Sequence, residues 1–90
     1  FKDLKNHRSM QSKKLRRGLE KYLQKRNLEI KFQKQLKLFE QNPKHPSLNT
    51  EILEPKHLKI YSFRIDKKYR AIFVITNGQV EIIDINDHYQ

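Results

Sequence analysis

The hydrophobic period changes once along this chain, and that change limits the fold more than any other feature. Between residues 12 and 41 the apolar side chains recur at helical spacing; from Leu58 they alternate. Ser12 is placed to cap a helix with apolar positions Leu15, Leu19, Tyr22 and Leu23, the i, i+4, i+7, i+8 stripe of one face. Lys13, Lys14, Arg16, Arg17, Lys21, Lys25 and Arg26 fill its remaining faces, and Gly18 weakens it by about 1 kcal/mol relative to Ala. Asn27 tolerates left-handed backbone and punctuates the pattern. A second stripe follows, Leu28, Phe32, Leu36 and Phe39, widened by Ile30 and Leu38, and Asn42-Pro43 stops it, because a residue before proline is pushed out of the helical region. The segment 12–41 therefore reads as two short antiparallel helices. Residues 1–11 are polar and without period, a poorly defined start.

Residues 44–56 contain His45-Pro46, Asn49-Thr50 and Pro55 and read as a connecting loop. Beyond it Tyr61, Phe63 and Ile65 alternate with Ser62 and Arg64, as in a half-buried strand. Asp66-Lys67-Lys68 makes a turn, 69–75 a second strand and 80–85 a third. Asn77-Gly78 between the last two is a strong hairpin signal, since both residues accept positive φ. The expectation is a single α+β domain over 1–90. Two N-terminal antiparallel helices pack on one face of a small antiparallel meander over 57–86, followed by a tail at 87–90.

The turn lengths imply a register. A two-residue turn sets Ile75 opposite Val80 and Phe73 opposite Ile82, so Tyr69, Ala71, Phe73 and Ile75 share a face with Val80, Ile82 and Asp84. Arg70, Ile72 and Val74 then share the other with Glu81, Ile83 and Ile85. A three-residue first turn sets Ile65 opposite Tyr69 and Arg64 opposite Arg70, leaving Ser62, Arg64 and Arg70 on the open side. Like charges directly across a ladder are destabilising, so an anion or a carboxylate is expected between them.

Composition narrows the partners. Ninety residues carry a formal charge of +10, and all of that excess lies in residues 1–44; residues 45–90 are neutral. Such asymmetry points to a polyanion. With no cysteine there is no disulfide framework and no thiolate metal site, and the four His show no ligand spacing, so no metal or cofactor is expected. No apolar run reaches the length of a membrane span, and nothing reads as a signal peptide. The expectation is a soluble, cytoplasmic protein.

Four sets of residues together resemble the RelE/ParE superfamily of bacterial toxin–antitoxin toxins: Asn42-Pro43-x-His45-Pro46-Ser47-Leu48; Tyr61-Ser62-Phe63-Arg64-Ile65; Tyr69-Arg70-x-Ile72-Phe73; and the strand 80–84 with the tail His88-Tyr89. Their order is similar to the messenger-RNA interferase branch, and the tail to its YoeB-like members. The family opens with a β-strand; residues 8–13 occupy that slot without a strand pattern. The resemblance implies a RelE-like fold and a ribosome-dependent endoribonuclease that helps a ribose 2′-OH attack the adjacent phosphate without a metal.

On that resemblance Arg70 matches the family's best-marked arginine, whose planar guanidinium grips phosphate oxygens and holds developing charge. Arg64 matches a second phosphate ligand, and His88 a general acid or base with a suitable pKa. Tyr89 would stack on a base or donate to a phosphate. Glu51 falls where YoeB-like members carry a general-base carboxylate. Lys56 and Lys59 are RNA-backbone candidates, and Arg16, Arg17 and Lys21 would dock ribosomal RNA. The implied partners are an acidic antitoxin that wraps the domain, the ribosome and messenger RNA. Two alternatives share the fold: a ParE-like gyrase inhibitor, and an inactive member that only binds antitoxin or nucleic acid.

Overall fold

The computed structural model describes residues 10–87. Among them lie a two-residue strand β1 (Gln11–Ser12), helices α1 (Arg17–Lys25) and α2 (Glu29–Gln41), and strand β2 (Glu51–Ile52). Strands β3 (Tyr61–Arg64), β4 (Arg70–Thr76) and β5 (Gln79–Asn86) complete the sheet. Its order is β1-β5-β4-β3-β2.

This overturns the expected fold class. The sheet is not a small antiparallel meander carrying two N-terminal helices. It has five strands and is mixed, because β1 runs parallel to β5, with Gln11 opposite Gln79 and Ser12 opposite Val80. The strands dominate the C-terminal half, and one precedes both helices. The slot that lacked a strand pattern thus contains the edge strand β1. Two residues are too few for alternation to be visible, and tertiary bonds hold them: the Met10 N–H donates to the Glu40 carbonyl at 2.8 Å, the Ser12 hydroxyl to Glu40 Oε2 at 2.7 Å and the Lys13 N–H to the Val80 carbonyl at 2.8 Å. Ser12 is therefore a strand residue and not a helix cap. The second short strand, β2, lies inside the segment read as a loop and pairs antiparallel with β3, Glu51 opposite Ser62.

Local chemistry explains where the helices end. Asn27, at φ 55°, sits just beyond α1. The Leu28 N–H donates back to the Leu23 carbonyl at 2.9 Å and the Asn27 N–H to that of Gln24 at 3.2 Å, while Leu23 and Leu28 are both buried. This is a Schellman closure with its hydrophobic contact. On α2 the buried side chains are Phe32, Gln35 and Phe39. Ile30 does not widen that stripe; it is 85% exposed.

The core lies between the helices and one sheet face. Phe39 stacks on Phe63, with centroids 5.4 Å apart, and meets Phe73 edge-on at 4.8 Å; Tyr61 stacks on Phe73 at 5.4 Å. All four are buried. Asn77 and Gly78 both take positive φ, 51° and 77°, so the β4–β5 turn twists with its strands.

One irregularity positions the open face. Phe73 opposes Ile82 but Ile72 opposes Asp84, so Ile83 is an extra residue in β5. This β-bulge reverses the alternation beyond it. Ile85 therefore turns into the core, opposite Ala71, and Asp84 turns out beside Ile72. The uninterrupted register expected from the turn had these two exchanged. The Arg16 guanidinium donates to the Ile83 carbonyl at 2.6 Å and so satisfies a group at the bulge.

Candidate functional site on the open sheet face

Residues directly opposite in a ladder project to the same side, as do alternate residues along each strand. One row is Glu51, Ser62, Ile72 and Asp84; the next is Arg64, Arg70 and Asn86. The open face therefore brings together Glu51, Arg64 and Arg70, which lie on three different strands. The bulge adds Asp84, and Asn86 Nδ2 donates to Asp84 Oδ2 at 2.7 Å.

The pair Arg64 and Arg70 does stand opposite across β3 and β4. Among the described residues no hydrogen-bonded carboxylate separates them. Arg70, on the side of the sheet expected to be open, is buried to 4% exposure. Its Nε donates to the fully buried Ser62 hydroxyl at 2.9 Å, and its Nη2 donates to the Asn49 carbonyl and, at 3.3 Å, to that of Ser62. Burial lowers the Arg70 pKa from its ordinary value; Glu51 opposes that shift and Arg64 adds to it. Arg70 Nη1 has no hydrogen-bond partner among the described residues. Its two protons, with the exposed Arg64 alongside, make a donor surface suited to an anion's oxygens.

Two supports hold this arrangement. Asn49 ends the short 3₁₀ turn Pro46–Leu48 in left-handed backbone, φ 45°, ψ 50°, and its carbonyl accepts from Arg70. Gln35 reaches up from α2, 7% exposed, and donates through Nε2 to the Arg64 carbonyl at 2.8 Å and the Ser47 carbonyl at 3.4 Å. One amide thus ties the end of β3 to the turn that carries Asn49. Sequence reasoning missed both supports. A glutamine three residues after Phe32 and four before Phe39 was the available signal, a polar side chain at core spacing.

The other candidates belong to other segments. Lys56 and Lys59 are exposed on the excursion between β2 and β3, closed at its base by the Leu53 N–H donating to the Ile60 carbonyl at 2.7 Å. Arg17 and Lys21 are exposed on α1, which packs through Leu19 and Leu23 against the aromatic side, so the sheet separates them from Arg64. Arg16 is committed to the bulge. His88 and Tyr89 lie outside the described residues. Among the described residues no three His, Asp or Glu side chains gather at metal-binding range, and no helix is long and apolar enough to cross a membrane.

Comparison with known proteins shows likeness both in sequence and in structure. No family model matches the chain. A stretch of 43 residues, 48% of this chain, is 42% identical to an uncharacterized protein of Haemophilus influenzae; the chain spans 43% of that relative's length. Among solved structures, a chain of the YoeB-YefM complex from Staphylococcus aureus superposes with a TM-score of 0.61, over 77% of this chain and 83% of that one, at 24% identity. The two share a fold.

Proposed function

We propose that this chain is the toxin of a toxin–antitoxin pair and acts as a ribosome-dependent endoribonuclease on messenger RNA. The observation that carries the reading is the convergence of Glu51, Arg64 and Arg70 on one sheet face, with Arg70 Nη1 free of partners among the described residues. The fold likeness to a chain of a YoeB-YefM complex supports the toxin–antitoxin setting and an antitoxin partner.

In the proposed reaction the Glu51 carboxylate takes the proton of a ribose 2′-OH as its oxygen bonds to the neighbouring phosphorus. The bond from phosphorus to the 5′-oxygen then breaks, and His88 supplies the proton that the leaving oxygen needs. A 2′,3′-cyclic phosphate and a 5′-hydroxyl result. Arg70, held rigid by Ser62 and Asn49, meets the extra negative charge on the phosphorane with Nη1, and Arg64 adds a second cation. Tyr89 would stack on a base beside the scissile bond.

A specific observation favours a second reading. Arg70 is 4% exposed and makes three hydrogen bonds within the fold, as a structural arginine would in a member that binds antitoxin or nucleic acid without cutting. Mapping messenger-RNA ends on translating ribosomes separates the two. Cleavage within the ribosomal A-site codon, lost in Arg64→Ala and His88→Ala, supports the nuclease. Intact messages under the wild-type chain would support the binding-only reading, and intact messages accompanied by gyrase-linked DNA breaks would point to the ParE-like alternative.

A further inference from the structure

Behind the Asn49 turn lies an open pocket of about 310 Å³, lined by Pro43, Lys44, His45, Pro46, Asn49 and Thr50. Its size is at the small end of ligand sites, which run from about 300 to 1,000 Å³. Internal bonds brace the backbone that shapes it. The Thr50 hydroxyl donates to the Pro43 carbonyl at 3.1 Å, the Lys44 N–H to Asn42 Oδ1 at 3.2 Å and the Asn49 N–H to the Pro46 carbonyl at 3.1 Å. The pocket walls are thus set by the loop itself.

The side chains on its rim have a definite chemistry. His45 Nδ1 accepts from the Ser47 N–H at 3.1 Å. That nitrogen is therefore unprotonated, and the proton of the neutral ring sits on Nε2 as a donor. Lys44 is exposed, and among the described residues it has no ion pair and no carboxylate lines the pocket. An ammonium and an imidazole N–H suit a phosphate, two proline rings suit the apolar faces of a sugar and base, and the Asn49 amide can pair with a base edge.

The pocket also adjoins the arginine site through one residue. Asn49 lines it, and the carbonyl of the same residue accepts from Arg70. We propose that this pocket is a nucleotide subsite, holding one nucleotide of an RNA strand whose neighbouring phosphate lies at Arg64 and Arg70. The proposal rests on the nuclease reading for the identity of the strand, and on the pocket's own residues for the class of ligand.

The test is an amide NMR titration of the full chain with adenosine 5′-monophosphate, adenosine and inorganic phosphate in parallel. Adenosine 5′-monophosphate is expected to shift amides within 44–50, and adenosine or phosphate alone to bind at least about tenfold more weakly. Lys44→Ala is expected to weaken the monophosphate about fivefold. His45→Asn keeps an oxygen to accept from the Ser47 N–H, so the turn persists while the Nε2 donor is lost, and binding again weakens. Absence of shifts in 44–50, equal binding by inorganic phosphate, or unchanged affinity in both variants would overturn the subsite. No ribosome or cleavage is needed, so nucleotide binding without RNA cutting leaves the subsite standing and removes the nuclease. Cutting without binding at 44–50 does the reverse.

Discussion

At the scale of single residues, the site is governed by what happens to two like charges forced opposite each other. The ladder cannot separate Arg64 from Arg70, so one stays in solvent and the other folds under Asn49 onto Ser62. This decides which substitutions are informative. Arg70→Ala removes the donor to a buried hydroxyl and a loop carbonyl, and is expected to lower stability by about 2–4 kcal/mol in urea unfolding. Its loss of activity would therefore not distinguish catalysis from folding. Arg64→Ala touches only exposed surface; stability should change by less than about 0.5 kcal/mol while cleavage falls about 100-fold or more. Gln35→Leu leaves the Arg64 carbonyl without its side-chain donor and is expected to lose about 1–3 kcal/mol on the same denaturation curve.

At the scale of elements, the turns carry stability that depends on pH. Asp66 opens the β3–β4 connection, and its Oδ1 accepts from the backbone N–H groups of Lys68 and Tyr69, each at 2.8 Å. Partial burial pushes this carboxyl's pKa up, but those two N–H groups and Lys31, 3.5 Å away, outweigh it and hold the pKa below the ordinary value. With the folded pKa below the unfolded one, about 3.9, the contribution is complete above the unfolded value and disappears as pH falls through the folded value. Stability measured by urea should therefore decline from about pH 5 downward, and Asp66→Asn should flatten part of that decline. The bulge is a second device of this scale. Arg16→Ala frees the Ile83 carbonyl at the point where the alternation reverses, and is expected to cost about 1 kcal/mol, read as a lower melting temperature.

At the scale of the molecule, the exposed cations of α1 and the arginine pair lie on different faces of the sheet. The excess of ten positive charges belongs to residues 1–44, and the exposed cations of α1 lie across the sheet from Arg64. On the proposed function, such a surface supplies affinity for a phosphate scaffold rather than bond cleavage. If the chain acts on the ribosome as proposed, the double change Arg17→Glu and Lys21→Glu is expected to weaken binding to ribosomal RNA. It should also reduce the slope of log affinity against log salt by about one for each phosphate that the variant no longer neutralises. Thermal stability should be nearly unaffected, since both side chains are exposed.

Local chemistry in the sequence determined the turns and the pairing nearest to them. Asn77-Gly78 sets Ile75 opposite Val80, Asp66-Lys67-Lys68 sets Arg64 opposite Arg70, and Asn27 ends α1, because these depend on backbone preferences of a few adjacent residues. Alternation likewise marked Tyr61 and Phe63 as core. Only the tertiary structure decided the rest. β1 and β2 are two residues each, too short to show a period, and exist because Val80 and Ser62 offer them partners from distant sequence. The bulge at Ile83 arises where the core can accept Ile85, which no alternating pattern reveals. Arg70 shows the same limit at the site: its strand and its opposite neighbour follow from turn length, but its burial depends on Asn49, 21 residues away, bringing a carbonyl to its guanidinium.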